Sequence, residues 1–405
     1  MTKTHLLLTT INSGFRILIG FLCLKLLAIF GQPDDVLQFG QIQSYLNIFT
    51  TLAQLGLGYG ILTAFRETQS NKERFLLEMM SLFTISGILL FAINFLYPNF
   101  VSSSVRSITT SIWFFIALMG SIYIALIHSY FVTSQKPSQA NLLQIISYVT
   151  ALVLISIMIF YNIQLLGLAI GIANILVSMV ALVMLKGKLS IFYPSIKKQF
   201  TNVVSKNIKF IIFTLTSVIV AQGTLIVSRD VFFNSPDSED GAILQIIFSM
   251  MFAVSTIYTT YMTTYYFASI TTAAKTFDVI KKISVATLAI FTLILLTLNL
   301  VGDQIIEIFL SNQYIYKTEL NFLIIADLLK NLALPIVFFL VAKRYLLSLI
   351  LAELLAFLGF IVTLNFVPSE NRLLVVGLSF NIGALLSFMI LSITLFVILR
   401  VDKQI

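Results

Sequence analysis

Runs of about 20 or more apolar residues, the length a helix needs to cross the ~30 Å hydrocarbon core of a bilayer, recur along the whole chain with only short polar breaks between them. They fall at about 7–30, 40–64, 75–97, 108–133, 140–162, 164–185, 207–232, 242–269, 283–301, 318–342, 345–367 and 373–399, which predicts twelve membrane-spanning helices. Barrel strands would be about 10 residues long and would alternate apolar with polar. Continuous runs of this length satisfy their backbone polar groups in lipid only as helices. Composition agrees, since 59% of the 405 residues are hydrophobic and 10% are charged, against about 25% charged in a soluble domain. A water-soluble globular fold is excluded, and twelve spans joined by short loops leave no room for a separate catalytic domain. The expected fold class is an all-α polytopic membrane protein of about twelve transmembrane helices.

The residue inventory narrows the chemistry. Two His and one Cys, Cys23 inside the first apolar run, cannot assemble a His/Cys metal cluster, and a lone Cys cannot close an internal disulfide. No motif calls for a cofactor. The first run is longer than a signal-peptide core and lacks an Ala-x-Ala site, so it reads as a mature helix. A net charge of +8 would suit a nucleic-acid partner, but its placement points to a membrane instead. With the N-terminus in the cytosol, most of the 25 Lys and Arg residues fall in cytosolic loops, and only Arg106, Lys317 and Arg372 fall in outer ones. By the positive-inside rule both termini are then cytosolic. The outer loops are acidic, with Asp34 and Asp35 after the first span and Asp237, Glu239 and Asp240 after the seventh.

The longest cytosolic loop, about 186–206, lies at mid-chain. It predicts an N-terminal six-helix lobe (1–190), a Lys-rich cytosolic linker (191–206) and a C-terminal six-helix lobe (207–405). Because six is even, the lobes share one orientation, as parallel repeats about an axis along the membrane normal do. The seam between such lobes is the expected substrate path.

Seven ionisable residues sit within or at the edge of spans: Arg16, Lys25, Arg229, Asp230, Asp327, Lys330 and Glu353. A charge at the bilayer centre costs about 2.5–3.5 kcal/mol on insertion scales, so such groups face a polar interior or one another and mark function. At about 1.5 Å per residue, Arg16 and Glu353 lie roughly 13 Å from the cytosolic end, Lys330 roughly 20 Å, and Lys25 and Arg229 roughly 27–30 Å. A cationic ladder of this kind suits a phosphate or diphosphate in transit, for which Arg supplies forked donors and Lys a mobile point charge. Each rung also has a structural reading. Asp327 and Lys330, spaced i,i+3, can neutralise each other. Lys330 and Glu353 can form an interhelical pair, and Arg229 can snorkel to headgroups at its helix end. Arg16 and Lys25 stand about 180° apart on an ideal helix, so both face one cavity only if the helix bends, for which Gly20 is available.

Weaker features complete the set. Gly56, Gly58 and Gly60 at the end of the second span suit close helix contact or a hinge. Pro335 should kink the tenth helix. His128 reads as an interfacial or packed residue, and Tyr258, Tyr261, Tyr265 and Tyr266 suit interfacial packing or a sugar-accepting cavity.

Twelve helices in two six-helix lobes, with cations in the first and seventh, resemble the Wzx-type flippases. More narrowly, they resemble the O-antigen translocase / lipid III flippase branch of the multidrug/oligosaccharidyl-lipid/polysaccharide exporter (MOP) superfamily, with its MATE-like fold. The segments that carry the resemblance are Phe15 to Ala28, Gln54 to Gly60, Ser228-Arg229, Phe309 to Tyr314, Ala326-Asp-Leu-Leu-Lys330, Ala342-Lys343 and Ala352-Glu353. The resemblance implies an undecaprenyl-diphosphate-linked oligosaccharide as substrate, turned from the cytoplasmic to the periplasmic leaflet of the bacterial inner membrane by alternating access on a proton or sodium gradient. It makes Arg16, Lys25, Arg229 and Lys330 substrate contacts and Asp327 and Glu353 ion-coupling groups. Membrane lipids, a polysaccharide polymerase and a chain-length regulator are the implied partners. Many members carry a Trp before the Gln that opens the eighth helix and an acid about seven residues later. Leu244 and Phe252 stand at those places here, which counts against a role for that helix.

Two other readings remain open. A drug or metabolite exporter of the same superfamily should have an acid-rich cavity, whereas the seven residues above include four bases and three acids. A membrane enzyme of envelope polysaccharide synthesis should carry a long outer loop, an Asp-x-Asp or a His-x4-Asp motif, none of which is present.

Overall fold

The computed structural model describes residues 3–57, 72–134, 136–161, 167–185, 196–233, 235, 237–262, 276–309 and 315–401. Gly58, Gly60, Tyr265, Tyr266 and residues 191–195 of the expected linker lie outside them, as does most of the Phe309 to Tyr314 segment. Among the described residues there are twelve helices of 17 residues or more. They are α1 (Lys3–Phe30), α2 (Pro33–Ala53), α3 (Lys72–Leu96), α4 (Ile112–Thr133), α5 (Pro137–Tyr161), α6 (Ala169–Leu185), α7 (Ile196–Asp230), α8 (Ser238–Tyr261), α9 (Thr276–Phe309), α10 (Asn321–Ala342), α11 (Leu346–Phe366) and α12 (Arg372–Val401). Eight of them contain stretches of 21 to 29 residues long and apolar enough to cross a bilayer, and α1 and α6 add shorter apolar stretches, Ile17–Phe30 and Ala169–Val183. The chain is an all-α, multi-pass membrane protein. Its outward faces carry Val183, Leu300 and Phe366, each 70% exposed or more, as lipid contact requires.

Local chemistry fixes the helix ends. α2 opens with Pro33 at its first position, and the Asp35 carboxylate accepts the Gln32 backbone N–H at 2.7 Å, so the acids after the first span serve a helix N-terminus. Glu239 and Asp240 occupy the first turn of α8 in the same way. α10 ends with Arg344 in the left-handed region (φ 62°), where glycine is usual. There the Tyr345 N–H reaches the Leu340 carbonyl at 2.9 Å and closes the last turn. Gly56 has φ +65°, and a side chain there would press on the Ile211 carbonyl at 2.9 Å, so the glycine serves both a turn and a close contact.

The chain divides into two compact units, Met1–Ile226 and Val227–Ile405. Within each half of the helix order the same pattern recurs. In the first, α3 packs on α4, and α4 and α5 both pack on α6; in the second, α9 packs on α10, and α10 and α11 both pack on α12. Small residues make these approaches close. A Cβ on Gly171 of α6 would lie 2.7 Å from the Ala117 carbonyl of α4, and one on Gly383 of α12 would lie 2.6 Å from the Ala356 carbonyl of α11. Packing of small residues is what holds helices together where lipid removes the hydrophobic drive.

α1 continues as one helix through Gly20. α10 runs on past Pro335 without interruption. α9 has a non-helical residue inside it, Val301 (φ −134°, ψ 25°).

Candidate functional site

The second unit gathers its charges around aromatic rings and neutral amides. The last turn of α7 delivers Arg229 into the interior, where the residue is only 4% exposed. Its Nε donates to Gln245 Oε1 of α8 at 2.7 Å, and its guanidinium carbon lies 5.6 Å from the centre of the Phe248 ring, one helical turn further along α8. Gln245 Nε2 in turn donates to the Ser249 hydroxyl at 3.3 Å. Phe248 meets Phe380 of α12 with ring centres 5.4 Å apart, and the Lys330 ammonium of α10 lies 5.2 Å from the centre of the Phe380 ring. Arg229, Phe248, Phe380 and Lys330 thus form one continuous series of cation–π and ring–ring contacts. Each cation contact of this kind contributes about 0.5–2 kcal/mol, with the upper end reached where water is excluded. Phe360 of α11 supports the series from behind, its ring 5.1 Å from Phe380.

Asp327 occupies the same helix as Lys330 and is 7% exposed. The Ser255 hydroxyl of α8 lies 3.3 Å from each of its carboxylate oxygens. Asn331, four residues on and 2% exposed, donates from Nδ2 to the Ser255 hydroxyl at 3.1 Å and to the Asp327 carbonyl at 2.9 Å. Pro335 has no N–H, so the Asn331 carbonyl loses its intrahelical partner. A carboxylate, a hydroxyl and a side-chain amide therefore meet between α8 and α10.

No family model and no curated protein matches the chain. Solved structures do. The lipid II flippase MurJ in an inward closed conformation matches with a TM-score of 0.66 and 16% identity over 96% of this chain and 87% of that one. A MATE-family multidrug resistance transporter of the MOP superfamily, inward-facing, matches with a TM-score of 0.65 and 12% identity over 96% of each chain. An outward-facing structure of such a transporter covers 100% of both chains with a TM-score of 0.54. The chain has the MurJ/MATE fold. At these identities the likeness is one of architecture.

Within the MurJ/MATE fold of this chain, the sequence-selected residues separate. Arg229 and Lys330 join through Phe248 and Phe380, and Asp327 lies one turn from Lys330, all in the second unit. Glu353 lies half-buried on α11 with contacts of its own. Lys25, half-buried on α1, and Arg16, whose side chain is outside the described residues, belong to the first unit. The snorkelling reading of Arg229 does not hold, because the guanidinium turns inward and its neighbour Asp230 is the exposed member. Asp327 takes Ser255 as its hydrogen-bond partner, while Lys330 turns to a ring. Two of the three outer-loop cations are tied to the acidic loop. Lys317 lies 2.5 Å from Asp240. Arg372 lies 3.5 Å from Asp237 and donates to the Val231 carbonyl at 2.9 Å. Beside them, burial pushes the Tyr316 phenol up to about 12.

The sequence reading missed several groups. Gln245, Ser255 and Asn331 carry no charge, although neutral polar residues inside an apolar run are themselves a signal of interhelical bonding. α8, which has neither the Trp nor the acid, supplies hydrogen-bond partners to both Arg229 and Asp327. The sequence reading also passed over Glu78 of α3, an acid inside a span and 3% exposed. Its Oε1 accepts from Arg74 Nε at 3.0 Å, and its Oε2 is buried without a hydrogen-bond partner.

Proposed function

We propose that the chain is a flippase. It carries an undecaprenyl-diphosphate-linked oligosaccharide, an O-antigen or enterobacterial common antigen repeat unit, from the cytoplasmic to the periplasmic leaflet of the bacterial inner membrane by alternating access. The observation that carries this reading is Arg229, a guanidinium buried in the second unit that donates to the Gln245 amide oxygen and lies 5.6 Å from the centre of the Phe248 ring. Maintaining such a charge inside a membrane protein is costly, and recognition of an anion compensates for the cost. A guanidinium fork matches phosphate oxygens in pairs, and a lysine adds a mobile charge. Arg229 and Lys330 serve as headgroup contacts, and Arg16 and Lys25 supply further cationic positions from the first unit. Asp327 and Glu353 couple transport to a proton or sodium gradient, Asp327 through the hydrogen-bonded cluster it shares with Ser255 and Asn331. The fold shared with MurJ, whose name gives lipid II as its cargo, supports a lipid-linked substrate.

The test is complementation of a strain lacking its polysaccharide flippase. Long-chain surface polysaccharide and the lipid-linked repeat units accumulated in the inner leaflet are the readouts. The wild-type chain should restore the first and clear the second, and Arg229→Ala should do neither while inserting normally. Normal polysaccharide from Arg16→Ala, Arg229→Ala and Lys330→Ala alike would overturn the cationic-path reading.

A further inference from the structure

On the flank of the second unit, α9, α10 and α12 enclose a groove of about 290 Å³. Lys281 and Ser284 of α9 line it, followed by Leu288 of the same helix, Leu332 and Ile336 of α10, and Phe388 of α12. Leu288 lies seven residues beyond Lys281, about 10 Å along the helix axis, and the groove surface is almost wholly hydrocarbon, with the exposed Lys281 at one end. Leu332 and Ile336 flank Pro335, whose missing N–H leaves the Asn331 carbonyl without its intrahelical bond.

Three observations identify the occupant. The volume lies at the lower edge of the ~300–1,000 Å³ typical of ligand pockets, which suits a length of hydrocarbon chain and is too small for an oligosaccharide. Val285 and Leu288 are 61% and 50% exposed on a helix that crosses the bilayer, so the groove opens sideways to lipid and is reached without a gate. Lys281 lies at the very start of the apolar stretch Ile280–Ile308, with Lys282 exposed beside it. This is the headgroup level, and the charge there is positive.

We propose that this groove binds an anionic glycerophospholipid of the adjoining leaflet, its phosphate-bearing headgroup at Lys281 and Lys282 and one acyl chain along Leu288, Leu332, Ile336 and Phe388. The lipid bridges α9 to α10 and α12, filling space that protein side chains leave open. A basic residue near an anionic surface gains about fivefold in affinity, which sets the expected preference over zwitterionic lipid. The site is independent of the transported substrate and uses none of the groups assigned to it.

The full-length protein in nanodiscs of phosphatidylglycerol and phosphatidylethanolamine (1:3), stripped stepwise with detergent and read by native mass spectrometry, tests the assignment. The wild type should retain phosphatidylglycerol about fivefold over its share of the bilayer. Lys281→Glu, an exposed change that leaves the packing intact, should abolish the preference, and Lys209→Glu on α7 should leave it unchanged. Leu332→Trp, which fills the groove, should lower the total lipid retained. Retention by Lys281→Glu equal to wild type overturns the proposal, as does displacement of phosphatidylglycerol by an equal amount of added polyprenyl phosphate.

Discussion

In the first unit the buried carboxylate of Glu78 takes the Arg74 guanidinium one helical turn away, whereas in the second unit the carboxylate of Asp327 takes a serine hydroxyl and the guanidinium of Arg229 takes a glutamine carbonyl. A carboxylate with a cation beside it is electrostatically spent, and such a pair serves the helix that carries it. Asp327 and Arg229 each also lie near an opposite charge on their own helix, Lys330 and Asp230, but a hydroxyl and an amide from α8 set their orientation. The cargo and ion contacts proposed above fall in the second unit, whereas the Arg74–Glu78 pair lies within one helix of the first. The partners of α3 extend the same theme: Lys72 donates to the Thr133 carbonyl of α4 at 2.5 Å, and the Tyr130 hydroxyl donates to Glu73 at 2.8 Å.

The most severe way to break this contrast is Arg229→Ala. It removes a charged hydrogen bond of about 1.5–3 kcal/mol and a cation–π contact of up to about 2 kcal/mol, so transport in the complementation assay should fall by about 100-fold or more. Arg229→Lys, which keeps the charge and loses the fork, should retain partial activity. Asp327→Asn should be milder, since the amide still meets Ser255 and Asn331. Transport driven by an imposed ion gradient should fall about tenfold while the amount of inserted protein, read by immunoblot, stays constant. Glu78→Gln should leave transport within about twofold of wild type, because the amide oxygen still accepts from Arg74. Glu78→Ala should lower stability in detergent by about 1–2 kcal/mol, less than the ~3–5 kcal/mol of a fully buried pair, because Arg74 is 35% exposed and can reach water. The smallest effect is expected of Lys317→Ala. It breaks a partly exposed ion pair with Asp240, and thermal unfolding should shift by no more than about 1 kcal/mol. A large transport defect in Glu78→Gln beside a silent Asp327→Asn would reverse the assignment of the two units.

The helices were legible because lipid allows an apolar run of this length only one backbone solution, and each of the twelve predicted spans overlaps a helix of 17 residues or more, although α2 ends at Ala53, well short of the predicted 64. Their ends were less legible. α7 begins at Ile196 and α9 at Thr276, earlier than the spans at 207 and 283, since a helix can project beyond the apolar stretch into water. Arg229, Asp327 and Lys330 stood out by charge alone, but their partners did not. Gln245 lies 16 residues from Arg229 and Ser255 lies 72 from Asp327, and periodicity within one helix carries no information about which face meets which neighbour. Glu78 was missed for a related reason. It lies near the start of the 75–97 run, close behind Lys72 and Arg74, and that spacing does not show that the residue is buried in the packed interior. The ties from Lys317 and Arg372 to the acidic loop show the same limit, with both signs evident and the pairing hidden.

The close seat of Gly383 against the Ala356 carbonyl has a mechanical corollary. With no side chain at that crossing to yield, α11 and α12 behave as a single plank, and any tilt of one is imposed on the other. Phe380, one turn from the crossing, travels with that plank, so the ring beneath the Lys330 ammonium reports the inclination of both helices at once.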